Sequence, residues 1–142
     1  MGGITMIKSI LAAGTVFSLL ATAGLAEERT GREEYMIACA GCHGETGKGD
    51  GPASGLMTNK PYDLTKLTTD KGDGKFPFEY VLWVVDGRDM IKFHGGDMPV
   101  WGDRYMVSAR ASEAESELPE SRELVVRGRI LSLTYYLGSI QE

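Results

Sequence analysis

The chain of 142 residues has only two cysteines, two histidines and two tryptophans. Two cysteines exclude a disulfide-dense scaffold, which needs several bridges. With two histidines and two cysteines in all, a four-ligand structural zinc site of Cys and His must take every one of them. Acids are missing from residues 1–26, where Lys8 is the one base. The chain after residue 26 therefore carries 14 Lys+Arg against the full 20 Asp+Glu, a formal charge of −6. That balance argues against nucleic acid or an anionic membrane surface as partner. Acids and bases alternate between residues 44 and 104, and a single-signed patch is lacking there. At 142 residues the chain suits one ordinary domain and is too short for two.

What is present begins with an export pattern. Lys8 is followed by an apolar run from about Ile10 to Leu20, then by Ala21, Thr22, Ala23, Gly24 and Ala26. A charged start, an apolar stretch and small residues at a cleavage site define a secretory signal. Residues 1–26 are expected to be removed, leaving 27–142 as one domain in the periplasm. The alternative is an uncleaved anchor facing the periplasm, since Ser9 to Ala26 is just long enough to span a bilayer.

Both cysteines lie in one pentapeptide, Cys39-Ala40-Gly41-Cys42-His43. Three chemistries are open to it. Exported thiols tend to pair as a disulfide, but a thioredoxin-like pair belongs near a βαβ unit, and no such pattern surrounds this one. Zinc needs four ligands, and Cys42 and His43 are awkward neighbours at one tetrahedral centre. Covalent haem attachment is the third. The two thiols add to two vinyl groups on one turn, and the next histidine is carried under the iron. The motif uses every cysteine, follows an export signal and ends a short helix, so haem is the reading adopted.

The residue on the other face of the iron decides between gas binding and electron transfer. Candidates downstream are Met57, Met90, His94, Met98 and Met106. Methionine is most often core filling, the reading taken for Met57, Met90 and Met106, and His94 reads as a loop histidine. Met98 differs. Gly95, Gly96 and Asp97 precede it and let the chain approach a flat ligand. Pro99 follows and holds Met98 extended. Trp101 lies three residues on, where its ring can cover a ligand edge and its indole N–H can reach a polar group such as a propionate. The 55 residues between His43 and Met98 suffice to pass round a haem.

The helical reading runs as follows. Thr30 and Glu33 form a capping box, with Tyr35, Met36 and Cys39 on the inward face. Residues 44–75 are read as a loop over one haem edge, with Leu56, Tyr62 and Leu64 turned in. Pro77 and Gly87 bracket a helix with Tyr80, Val81, Val84 and Val85 as its buried stripe. A short turn follows from Trp101 to Met106. The acidic stretch 109–121 reads as a solvated surface. A last helix runs from near Pro119 or Ser121 to Gly138, with apolar residues round much of its circumference. Leu124, Arg127, Leu131 and Tyr135 lie on one side, and Val126, Ile130, Leu133 and Leu137 on another, as expected for packing on both protein and cofactor.

Taken together, "GREEYMIACAGCHG", "GKGDGPA", "PYDLT", "GDMPVWG" and "ILSLTYYLGSIQ" cover nearly all of residues 27–142. In these the chain resembles the small single-haem class I c-type cytochromes of bacterial export type. The resemblance implies an all-α cytochrome c fold, three to five helices wrapped around one covalently attached haem c. It implies Cys39 and Cys42 as attachment residues and His43 and Met98 as iron ligands. It also implies the Pro52 carbonyl as the group orienting His43, and Tyr136 as the aromatic where the first and last helices cross. The segment 108–121 is longer and more acidic than in a minimal member. The expected function is electron transfer without enzymatic turnover, with donor and acceptor proteins docking transiently at the haem edge. The competing readings are a haem subunit of a larger respiratory oxidoreductase, and a haem-based gas sensor if Met98 is not a firm ligand. A domain of this size buries roughly two-thirds of its unfolded surface, so the haem-free protein is expected to pack poorly.

Overall fold

The computed structural model describes residues 30–88, 98–112 and 119–142. These residues form helices and turns, with no strand among them. Helix α1 covers residues 30–38, α2 Ala40–His43, α3 Leu67–Lys71, α4 Phe78–Asp86, α5 Trp101–Ser112 and α6 Pro119–Ser139. Single 3₁₀ turns lie at Ser54–Leu56 and Leu64–Lys66. The expected signal, and with it the question of cleavage, lies outside the described residues. So do Met90, His94 and residues 113–118 of the acidic stretch. No helix among the described residues is long and apolar enough to cross a membrane.

The scaffold is built on α6. Val126, Ile130, Leu133 and Leu137 recur at helical spacing and are all buried. Fully burying a side chain of this size stabilises the fold by roughly 1.5–3 kcal/mol. Helices α4 and α5 pack on α6 and on each other. The first and last helices also cross, with the Tyr35 and Tyr136 rings tilted at 5.2 Å. Tyr136 thus sits where the resemblance implies. Gly31 permits the approach: a Cβ there would run into the Ser132 carbonyl oxygen and lie 2.9 Å from Tyr136 Cβ. Beside the crossing, the Arg129 guanidinium binds both carboxylate oxygens of Glu34, at 2.8 and 2.9 Å.

Helix α4 forms as the pattern predicts, ending in Gly87 at φ 67° with its N–H on the Trp83 carbonyl. Val81 and Val85 are buried, and Tyr80 and Val84 half-buried.

Other expectations need correction. Thr30 is helical, and its capping role turns on residues outside the described ones. Residues 44–75 are not plain loop, because α3 and two 3₁₀ turns lie within them. Leu56 is 89% exposed, since the turn that carries it stands on the surface. The turn after Trp101 is a full helix of 12 residues. On α6 the second side is covered only in part: Leu124 is 71% exposed and Tyr135 50%, although the Tyr135 ring packs on Phe78 at 4.9 Å and Leu131 is half-buried.

Candidate functional site

Helix α1 delivers the pentapeptide. The Cys39 N–H donates to the Tyr35 carbonyl at 2.8 Å, and the His43 N–H to the Cys39 carbonyl at 2.9 Å. The chain then reverses at Gly44, whose carbonyl accepts the buried Tyr35 hydroxyl at 2.6 Å. Residues 49–53 fold back onto the carbonyls that α2 leaves unpaired. Gly49 N–H donates to His43, Gly51 N–H to Cys42 and Ala53 N–H to Gly41. Gly51 must be glycine here, since a Cβ would lie 2.6 Å from the carbonyl oxygens of both Ala40 and Gly41.

His43 is buried, and its Nδ1 lies 2.9 Å from the Tyr62 carbonyl. A carbonyl only accepts, so Nδ1 carries the proton and the Nε2 lone pair is left for another partner. Burial holds the imidazole below its ordinary pKa, and the bond to Tyr62 offsets part of this. The neutral, ligating form is therefore the favoured one. This is a correction to the expectation for Pro52. Pro52 is exposed, and the orienting carbonyl belongs to Tyr62, 19 residues after His43.

The 61–68 segment is held in place from several sides. Gly49 lies against the Pro61 carbonyl. The Leu64 N–H donates to Gly47 at 2.7 Å. The Tyr62 hydroxyl donates to Asp70 at 2.6 Å. Gln141, just beyond α6, donates to the Leu64 carbonyl at 2.8 Å and accepts from the Thr68 N–H at 2.9 Å. Tyr62 was legible as an inward aromatic; its carbonyl carried no signal.

Cys39, His43, Tyr62, Leu64 and Met98 line one cavity. Leu67, Leu137 and the α4 stripe of Tyr80, Val81, Val84 and Val85 also line it, with Lys71 as the one charged residue among the described lining. Met98 thus meets His43 and Cys39 across 55 residues of chain. Cys39 is buried and its thiol is pushed up to about 12, first by burial and then by Cys42. Cys42 is half-buried, and the two thiols are not joined to each other. Met57 and Met106 are half-buried and do not line the cavity; Met106 packs on the core. Trp101 is also absent from these walls. It begins α5, with its ring 5.8 Å from that of Tyr105 and the Arg104 guanidinium 5.3 Å over it.

The cavity proper is about 170 Å³ and reaches about 750 Å³ with its open mouth. An enclosed ligand site runs to roughly 300–1,000 Å³, so the enclosed part is smaller than a macrocycle needs, and a haem would have to extend into the open mouth with an edge toward solvent. The donor set suits an iron macrocycle: a neutral imidazole with its second nitrogen fixed, a thioether, a thiol at the wall and an apolar lining. A bare metal ion is served less well. Among the described residues no three His, Cys, Asp or Glu side chains group closely enough to hold one.

Comparison of the chain with protein-family models, curated proteins and solved structures finds no match in any of the three.

Proposed function

We propose that this protein is a periplasmic electron carrier of the class I cytochrome c type, with one haem c bound covalently through Cys39 and Cys42. The observation that carries the reading is the convergence of Cys39, His43 and Met98 on one apolar cavity. When bound, the haem supplies a one-electron ferric/ferrous couple. His43 would hold the iron through Nε2, and the Tyr62 carbonyl keeps the ring in the tautomer that leaves Nε2 unprotonated and raises its basicity. Met98 offers a soft sulfur, which favours the reduced state and raises the potential. The valines of α4, with Leu64, Leu67 and Leu137, exclude water and disfavour added charge at the metal. With His43 and Met98 both as ligands, a bound haem would offer no open site for a substrate, and the protein would pass electrons to partner proteins through small transient contacts.

The test is to express the whole chain in a host that attaches haem, and to compare it with Met98→Ala and with the double variant Cys39→Ser, Cys42→Ser. The expected wild-type protein keeps its haem after denaturation and shows a far-red methionine–iron band when ferric. It binds carbon monoxide slowly when reduced. Met98→Ala loses the band and binds carbon monoxide promptly, and the double serine variant holds no covalent haem. A wild-type protein with covalent haem but no band, and prompt carbon monoxide binding, refutes electron transfer in favour of a gas sensor. A wild-type protein without covalent haem refutes the reading altogether.

A further inference from the structure

Three residues outside the cavity lock together at the place where the chain leaves α4 and returns toward α5. The Arg88 guanidinium donates to Asp86 through Nε at 2.5 Å and Nη2 at 2.8 Å. The same group donates to Glu123 on α6 through Nη1 at 2.7 Å and Nη2 at 3.0 Å. Both contacts are the paired fork that arginine makes with a carboxylate, shorter and more directional than a single bond. The three side chains are only 23–30% exposed. Glu123 also accepts from Arg127 Nε at 2.8 Å, so its carboxylate is fully engaged.

This cluster lies on the start of α5. A Cβ at Gly102 would run into Asp86 Oδ1 and Arg88 Nε, so the salt-linked groups rest on the Gly102 backbone. Next to it, a Cβ at Gly87 would touch Val100 Cα at 3.4 Å. Residues 87–88 and 100–102 are thus neighbours, and their contact closes the end of α4 onto the start of α5. Met98 stands two residues before that closure, with Pro99 between. Two residues span at most about 7 Å, and proline fixes its own φ and restricts the residue before it. The place of Met98 on the cavity wall therefore follows the place of the closure.

We infer that Arg88, through Asp86 and Glu123, is a positioning residue that holds Met98 against the iron. The inference rests on the haem reading proposed above and adds to it the device that keeps the sixth ligand on. It acts at a distance, since none of the three residues lines the wall that holds His43 and Met98.

The experiment uses the haem-loaded protein and the variants Arg88→Gln, Arg88→Lys, Glu123→Gln and Leu133→Ala. Leu133 is fully buried away from the cavity and serves to lower stability without touching the clamp. The far-red methionine–iron band is recorded on the ferric proteins, and carbon monoxide binding is timed on the reduced ones. The expected result is a weakened band in Arg88→Gln and carbon monoxide binding faster by several-fold to about tenfold, the scale of losing a part-buried two-carboxylate clamp. Arg88→Lys, which keeps charge but not the fork, restores little. Glu123→Gln gives a smaller change of the same sign and serves if Arg88→Gln does not accumulate. Leu133→Ala lowers the melting temperature and leaves band and rate unchanged in the folded protein. Wild-type band and rate in both Arg88→Gln and Glu123→Gln overturn the inference and leave the haem reading intact. Equal loss of the band in Leu133→Ala also overturns it, because general loosening would then suffice. A wild-type protein without the band overturns the haem reading first and this inference with it.

Discussion

Replacing Gly31 by alanine sets two opposed effects against each other, and the helix crossing decides between them. In an open helix, alanine is better than glycine by about 1 kcal/mol. At Gly31 the added Cβ runs into the Ser132 carbonyl oxygen and lies 2.9 Å from both the Ser132 carbonyl carbon and Tyr136 Cβ. Carbon atoms at rest stand about 3.5–4.0 Å apart, so α1 and α6 must part by roughly 0.6–1 Å. None of the obstructing atoms is the movable end of a side chain. Parting the helices also disturbs the Tyr35–Tyr136 ring contact and the Glu34–Arg129 pair. Overpacking of this kind costs about 1–3 kcal/mol, and a clash with backbone atoms that cannot swing away places it at about 2–3, so the net expectation is a loss of about 1–2 kcal/mol. Gly128 on α6 is the matched control, because a Cβ there meets nothing within 4 Å. Gly128→Ala should gain up to about 1 kcal/mol. At roughly 4 °C per kcal/mol for a domain of this size, the two variants should melt about 8–12 °C apart. The assay is thermal unfolding of the haem-loaded proteins followed by far-ultraviolet circular dichroism. Gly31→Ala melting at or above the wild type would refute the close crossing.

Other outcomes follow from particular bonds. Tyr35→Phe removes the buried hydroxyl from the Gly44 carbonyl and should cost about 1 kcal/mol in urea unfolding, the net worth of one hydrogen bond, since that carbonyl keeps the Gly47 N–H at 3.2 Å; an unchanged midpoint would refute that bond. Glu123 is held down to about 2 by hydrogen bonds from Arg88 and Arg127, against 4.5 for the free group. A depressed acid stabilises the fold above its unfolded pKa and loses that contribution as pH falls through the folded value. The stability difference between wild type and Glu123→Gln should therefore be full at pH 7 and shrink from about pH 4.5 toward pH 2; a difference independent of pH would refute it.

Elements whose signals are local were readable residue by residue. The Pro77 and Gly87 boundaries and the α4 stripe follow from backbone preferences and from spacing within one helix. The buried side of α6 follows from the same spacing. The other side of α6 did not: an apolar pattern marks what can be buried, and whether a neighbour covers Leu124 or Tyr135 depends on where α4 and α5 lie. Leu56 failed for the same reason, since nothing folds over its turn. Trp101 was placed by its distance from Met98, yet the helix it begins carries it toward Tyr105 instead.

The sequence by itself determined the pairing of Cys39 and Cys42 with His43 on one turn, and the extended setting of Met98 before Pro99. These depend on covalent neighbours and on turns of four residues or fewer, so their geometry travels with the chain. Only the tertiary structure decided that the Tyr62 carbonyl, not that of Pro52, holds His43, that Met98 reaches the same cavity, and that Arg88 joins Asp86 to Glu123. Those contacts join residues up to 55 positions apart along the chain. They depend on how the 44–75 segment folds back and how α4, α5 and α6 pack, and a backbone carbonyl looks the same in every residue type until the fold aims it.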